Sequence, residues 1–293
     1  MTSDEVAPLD AIKAIYETLS PRLKKAARYI QRNPSDIALY PLRHVASKAE
    51  VSPTTLVRLA ADLGYPSYNG FKEAFRLRVK VGAERYAAGA SQLIADEVSG
   101  GRASYYQATY QSMSEALGQL FASIRCEDVE LAAKGLNAAR TIYILGMRTM
   151  FAPAHTLAYL LRTFKNNVVL LDGAHDMLVD ELSTIGAGDI LVAISYEPYV
   201  RSTVAATAYA LERGADVVAI TDTPLAPIAR DATHVFPLPA PSPSFYLSLL
   251  PIHAFVETLA SFVVIDAGSD VIERISTEFD RRARFGVYWQ EDK

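Results

Sequence analysis

The chain has 293 residues, half of them hydrophobic and 21% charged, a composition that excludes a disordered or fibrous protein and suits two domains. Its one cysteine, Cys126, excludes an internal disulfide and a Cys-rich zinc site. The net charge of −4 hides an asymmetry: residues 20–80 hold 12 Lys or Arg against 4 Asp or Glu, whereas residues 86–293 hold 15 against 24.

The start, Met-Thr-Ser-Asp-Glu, is acidic and polar and lacks the basic-then-apolar pattern of a secretory signal, so the expectation is a cytoplasmic protein. From Asp10 to Lys80 the apolar residues recur at helical spacing: Leu23, Ala26, Ala27 and Ile30, then Val45, Ala46 and Ala49, then Leu56, Leu59, Ala60 and Leu63. Pro21, Pro34, Pro41, Pro53 and Pro66 separate the runs. Ser20-Pro21 and Ser52-Pro53 each pair a capping hydroxyl with the fixed φ suited to a first helical position. The segment reads as an all-α bundle of short helices. Its concentrated positive charge points to a polyanion. The alternative is a well-solvated helical domain with a chance excess of Lys and Arg.

Residues 42–63 have the spacing of a helix-turn-helix. Leu42 to Ala49 forms a short helix with small residues at the crossing, Glu50-Val51-Ser52 is the turn with Val51 available to fill the gap, and a second helix starts at Pro53. Such a second helix lies in the major groove with its N-terminal residues towards bases and phosphates. Ser52, Thr54 and Thr55 are the candidate phosphate contacts, because a helix N-terminus favours an anion. Arg58 falls on the exposed side one turn later, where a bidentate Arg–guanine pair contributes about 1–3 kcal/mol of discrimination. Arg43 and Lys72 complete the candidate DNA-binding set. The competing reading is an ordinary helical hairpin whose threonines only cap.

Residues 81–125 are mostly helix-compatible, broken at Gly100-Gly101. From Thr141 the pattern changes. Apolar runs at 141–145, 167–171, 189–194, 216–221 and 234–238 alternate with helical lengths near 149–166, 175–185, 200–213 and 224–231. Strands apolar throughout are covered on both faces, so the expectation is a five-stranded parallel sheet between helices, with a ligand site beyond the carboxyl ends of its strands. The stretch Leu247 to Ala267 is strongly apolar but interrupted by His253, Glu257 and Asp266. A membrane span would place the acidic groups in hydrocarbon at about 2.5–3.5 kcal/mol each. It reads as a buried helix, and no membrane association is expected. Residues 269–293 form an amphipathic tail with Arg281, Arg282 and Arg284 before Phe285 and Trp289.

Two sets of residues carry a resemblance. Leu19-Ser-Pro-Arg-Leu-Lys-Lys-Ala-Ala-Arg-Tyr-Ile-Gln-Arg-Asn-Pro34, Val45-Ala46, Val51-Ser-Pro-Thr-Thr-Leu-Val-Arg-Leu59, Leu63-Gly-Tyr65 and Gly70-Phe-Lys72 resemble the N-terminal domain of the RpiR family of bacterial transcriptional regulators. Gly146, Ile194-Ser195, Arg213-Gly-Ala-Asp-Val-Val-Ala-Ile-Thr221 and Ala226-Pro-Ile-Ala-Arg-Asp-Ala232 are similar to the sugar isomerase (SIS) domain that this family joins to it. The resemblance, over roughly residues 10–265, implies a regulator whose affinity for double-stranded operator DNA is set by a small-molecule effector. It also implies a homodimer or homotetramer; no cofactor is expected. The expected division is 1–80 for DNA binding, 81–125 as helical connector, 126–268 as SIS domain and 269–293 as helical tail.

The loops depart from the family pattern. After the first strand, Gly-x-Gly-x-Ser reads Gly146-Met-Arg-Thr-Met150; after the third, Ser-x-Ser-Gly-x-Thr reads Ser195-Tyr-Glu-Pro-Tyr-Val200. Pro198 removes an N–H and Glu197 adds a negative charge where an anion would sit, while Arg148 and Arg201 offer positive charge. The effector is therefore expected to be a small polar or anionic metabolite, phosphosugar-like or a carboxylate, with Arg148, Thr149, Ser195, Tyr196, Tyr199 and Arg201 as candidate contacts. A vestigial pocket on a domain that only oligomerises is the plainer reading. The enzyme alternative is an aldose–ketose isomerase, which needs a general base. Glu181, His175, His253 and Glu257 are the candidates; for His155, His175 and His253 a packed or surface role suits better, fusion to a DNA-reading domain argues further against an enzyme, and no catalytic residue is assigned. His253 and Glu257 share a helix face at i, i+4, and without a third ligand no metal site is assigned either.

Overall fold

Both Ser-Pro pairs open helices. In this computed structural model, Ser20 and Ser52 sit at N-cap positions with extended backbone and Pro21 and Pro53 follow at the first helical position. The hydroxyls differ: Ser52 Oγ accepts the Thr55 N–H at 3.3 Å, whereas Ser20 makes no side-chain cap, so that helix start relies on the proline alone. The structure describes residues 8–289 apart from 34–35 and 38–39, and the side chains of 9–10, 13–14, 17, 32, 76–85 and 96–100 also fall outside the description. The helix break expected at Pro34 and the acidic start therefore lie outside the described residues.

The chain divides into two compact units, Met1–Gln92 and Leu93–Lys293. The first contains α1 (Pro8–Ile15), α2 (Pro21–Arg32), α3 (Leu42–Lys48), α4 (Pro53–Asp62) and the beginning of α5 (Tyr68–Ser123). Its core is the set the spacing marked: Leu23, Ala26, Ala27, Ile30, Val45, Ala46, Leu56, Leu59 and Ala60 are buried, joined by Phe71 and Phe75 with ring centroids 5.0 Å apart. Helical geometry in α5 is interrupted at Gly101, with φ 71° and ψ 167°. A side chain would resist that backbone, and the glycine pair had marked the same break.

The second unit has the expected α/β architecture. After α6 (Cys126–Ala138) come β1 (Ile142–Gly146), α7 (Phe151–Arg162), β2 (Val168–Leu171), α8 (Leu178–Glu181), β3 (Ile190–Ile194), α9 (Arg201–Glu212), β4 (Asp216–Thr221), β5 (His234–Pro237), α10 (Leu250–Ala267) and α11 (Asp270–Arg284). The five strands pair in parallel in the order β2-β1-β3-β4-β5. Alternate strand residues feed two cores: Ile142, Ile144, Ile190 and Val192 lie with residues of α6, α7 and α10, while Tyr143, Leu145, Leu191 and Ala193 lie with residues of α9. Period-two alternation with both sides apolar explains why these runs carry no polar residues.

Two of the expected crossover helices are shortened. Residues 175–185 contain the end of a 3-10 turn (Ala174–Asp176) and the single turn α8, and 224–231 contain a 3-10 turn at Pro227–Ala229 in place of an α-helix. Pro224 and Pro227 lack N–H donors within that eight-residue stretch, so a continuous helix cannot form there. α10 is long and apolar enough to cross a membrane by length and composition alone. Here Ile252, Phe255, Val256, Leu259 and Val263 are buried in the sheet's core, which is where an apolar helix of a folded domain places one face.

Candidate DNA-reading and ligand sites

The turn between α3 and α4 needs one residue in left-handed backbone. Glu50 supplies it with φ 51°, and its carboxylate pairs with Lys25 Nζ at 2.5 Å, which holds the Glu50 carboxyl below its ordinary pKa. The Val51 N–H then donates to the Ala46 carbonyl at 3.0 Å, and its half-buried side chain packs on the helical core as a plug between the two helices. Ala46 and Ala49 are buried at the crossing, where only small side chains allow the close approach.

Behind this turn α4 buries Leu56, Leu59 and Ala60 and exposes Thr54, Val57, Arg58 and Ala61. Ser52 Oγ lies 2.7 Å from Thr54 Oγ1 and 2.8 Å from Thr55 Oγ1, so three hydroxyls cluster at the positive end of α4. Arg43 and Arg58 are exposed, and neither has a hydrogen-bond or ion-pair partner among the described residues. Lys72 differs: its ammonium donates to the Tyr40 carbonyl at 2.7 Å, tying the start of α5 to the loop before α3. Val57 was missed by the sequence reasoning. It is 41% exposed on the same face as Thr54 and Arg58, and an apolar side chain there is suited to a thymine methyl. Its position three residues after Thr54 was the available signal.

In the second unit Gly146 pairs with Ile194 in the sheet, so the residues that follow β1 and β3 leave the same edge side by side. Gly146 is required there. A Cβ at this position would lie 2.3 Å from the Met150 carbonyl oxygen and 2.9 Å from the Ala154 Cβ, closer than packed atoms approach. The chain therefore turns sharply into residues 148–150, with Arg148 exposed at φ 57°.

At this edge Arg148 and Thr149 lie in a 3-10 turn (Arg148–Met150), Ser195, Tyr196 and Tyr199 in the loop after β3, and Arg201 is the first residue of α9. Thr149 Oγ1 lies 2.7 Å from the Tyr246 hydroxyl. Ser195 is buried at 2% exposure. Tyr196 is buried in the sheet's core and donates its hydroxyl to the Leu238 carbonyl at 3.3 Å; burial, with the Asp222 charge second, pushes the phenol pKa well above its ordinary value. Tyr199 donates to Asp222 Oδ1 at 2.8 Å. Arg148 and Arg201 are exposed and without partners among the described residues.

Asp222 and Tyr246, which sequence reasoning did not single out, are hydrogen-bonded to the candidate contacts Tyr199 and Thr149. Thr203, two residues into α9, has a buried hydroxyl with no partner among the described residues. The candidate bases lie on three elements, a 3-10 turn at Ala174–Asp176, α8 and α10. Glu181 accepts the Gly173 N–H at 3.4 Å, His175 is exposed at φ 57°, and His253 and Glu257 lie on α10, half-buried and exposed. Among the described residues no three His, Cys, Asp or Glu side chains converge as a metal requires.

The chain matches two protein families, the helix-turn-helix domain of the rpiR family over residues 7–83 and the SIS domain over residues 135–265. It is 26% identical over 236 residues to the bifunctional protein glk of Burkholderia orbicola, a match covering 78% of this chain and 35% of that one; the chain thus spans about a third of the length of these curated relatives. It is 25% identical over 235 residues to the HTH-type transcriptional regulator HexR of Pseudomonas aeruginosa, covering 80% of this chain and 79% of that one. The sugar isomerase domain of an RpiR transcription factor from Sphaerobacter thermophilus superposes with a TM-score of 0.55 at 26% identity, over 60% of this chain and 96% of that structure. With a helix-turn-helix domain of the rpiR family followed by an SIS domain on its five-stranded parallel sheet, the chain belongs to the RpiR family.

Proposed function

We propose that this chain is a transcriptional regulator that binds operator DNA through α3 and α4 and a small polar or anionic metabolite at the carboxyl edge of its sheet. One observation carries the reading: the exposed face of α4 pairs a hydroxyl cluster at the helix start with an unpartnered Arg58, inside a segment of 12 basic and 4 acidic residues. Hydroxyls and helix N–H groups position the phosphates, and arginine reads a base edge. Of the six DNA contacts proposed, Arg43, Ser52, Thr54, Thr55 and Arg58 lie on or beside these two helices, and Lys72 supports the loop before them.

The effector contacts proposed are Arg148, Thr149, Ser195, Tyr196, Tyr199 and Arg201. Tyr196 acts there through the shape of the loop, since its hydroxyl already serves the Leu238 carbonyl. The working division is 1–80 for DNA, 81–125 as connector, 126–268 for the effector and 269–293 as tail, with homodimers or homotetramers presenting paired reading helices to a pseudo-palindromic operator in the cytoplasm. The chain is read as non-enzymatic. The helix-turn-helix domain of the rpiR family supports that reading over an isomerase.

The test selects duplexes from a random pool with the full chain, then measures binding of the selected duplex against a panel of sugar phosphates, sugar acids and other small carboxylates. Coupling of about 1–3 kcal/mol changes affinity 5–150-fold, so at least one compound is expected to shift occupancy by that much. Selection of no sequence, together with isomerase turnover on sugar phosphates, overturns the proposal.

A further inference from the structure

At the carboxyl edge of β3 and β4 the polar donors already face an anion, and that anion is the chain's own. Asp222 follows β4 directly. Its Oδ1 accepts the Tyr199 hydroxyl at 2.8 Å and lies 3.1 Å from the Thr221 hydroxyl, which also reaches the Ser195 carbonyl at 2.7 Å. Its Oδ2 accepts the Glu197 N–H at 3.4 Å. Tyr199 and Glu197 both belong to the loop that runs from β3 into the 12-residue helix α9, the end of a helix where backbone donors and the macrodipole favour negative charge. Pro198, between them, has no N–H to add. Glu197 brings a second carboxylate to the loop, and Asp222 is only partly exposed.

A phosphate drawn to these donors would lie within a few ångströms of Asp222. Two anions that close repel, and a donor given to one is lost to the other. A sugar hydroxyl has the opposite relation to this arrangement. It can donate to a carboxylate and accept from a tyrosine hydroxyl.

We propose that Asp222 is a specificity-determining residue: by holding the donors of the β3–α9 loop it refuses a phosphate monoester at this edge and accepts the uncharged, hydroxyl-bearing part of a ligand. The proposal rests on the reading of this edge as the ligand site and narrows the ligand class.

The experiment uses the full chain, with glucose 6-phosphate and inorganic phosphate as probes in calorimetry and thermal unfolding. The unsubstituted protein is expected to give neither binding heat nor a raised melting temperature at millimolar probe. Asp222→Asn is expected to gain at least about tenfold in affinity for glucose 6-phosphate, a change of about 1.4 kcal/mol. Asp222→Asn combined with Tyr199→Phe is expected to lose that gain, because the freed donor is then absent. Asp222→Ser, which also removes the charge, is the second variant should the asparagine lower the unliganded melting temperature. Tight binding of glucose 6-phosphate by the unsubstituted protein overturns the role of Asp222 and leaves the ligand-site reading intact. No gain in either variant overturns it as well. Neither result bears on DNA binding by the other unit.

Discussion

A Cβ added to Gly146 would press on the Met150 carbonyl, which is backbone and cannot rotate away. Gly146→Ala is therefore expected to lower stability by roughly 1–3 kcal/mol, the range for overpacking a closed site, read as a lower urea midpoint with an unchanged slope. An unchanged midpoint would mean that the turn after β1 yields. In the sequence Gly146 stood out only as part of the family resemblance; the close contact that requires glycine was not legible there. Asp222 was not legible. Its partner Tyr199 is 23 residues away and becomes a neighbour only because β3 and β4 pair in register. Thr149 and Tyr246, 97 residues apart, meet through the same kind of long-range closure. Short-range spacing carries no trace of either pair.

At the scale of elements, strands and helix starts were readable and crossover lengths were not. Apolar runs located every strand to within a residue or so, because burial on both faces leaves no polar alternation to confuse them. The segment after β4 reads as helical by length, yet Pro224 and Pro227 leave it only a short 3-10 turn. The sheet's other edge carries a testable ion pair. Asp189, buried before β3, accepts from Arg140 Nη2 at 2.5 Å and Nε at 2.9 Å and from the Gly186 N–H at 2.9 Å. The Arg140 hydrogen bonds chiefly hold its carboxyl below the usual carboxylate range, against the opposing effect of burial. A depressed folded pKa means that this stabilisation is full above the unfolded value of about 3.9. It is lost as pH falls through the lower folded value. Asp189→Asn is expected to lower the melting temperature at neutral pH and to narrow the gap from the unsubstituted protein as the solution is acidified. A gap that stays constant with pH would assign the loss to packing instead of charge.

For the molecule as a whole, the division of charge along the chain is the feature that sequence alone displayed most clearly: 12 basic against 4 acidic residues in 20–80, and 15 against 24 in 86–293. Local concentration of positive charge, with the acidic excess kept in the unit that carries the sheet, allows a chain of net charge −4 to approach a polyanion through one part only. The helix-turn-helix, its cap and its turn were legible because they depend on residues within about twenty positions of one another. Val57 on the exposed face of α4 emerged only once the buried and exposed sides of the helix were known. The most direct measurement of the central claim is fluorescence anisotropy of the full chain on a duplex it selects, across a salt series, with Arg58→Ala alongside. The account predicts that log affinity falls linearly with log salt, as expected when phosphates are neutralised. It also predicts that Arg58→Ala weakens binding to the selected duplex by about 1–3 kcal/mol while changing binding to random duplex far less. Failure of the full chain to bind duplex DNA even at low salt, or equal affinity of Arg58→Ala and the unsubstituted protein for the selected site, would contradict it.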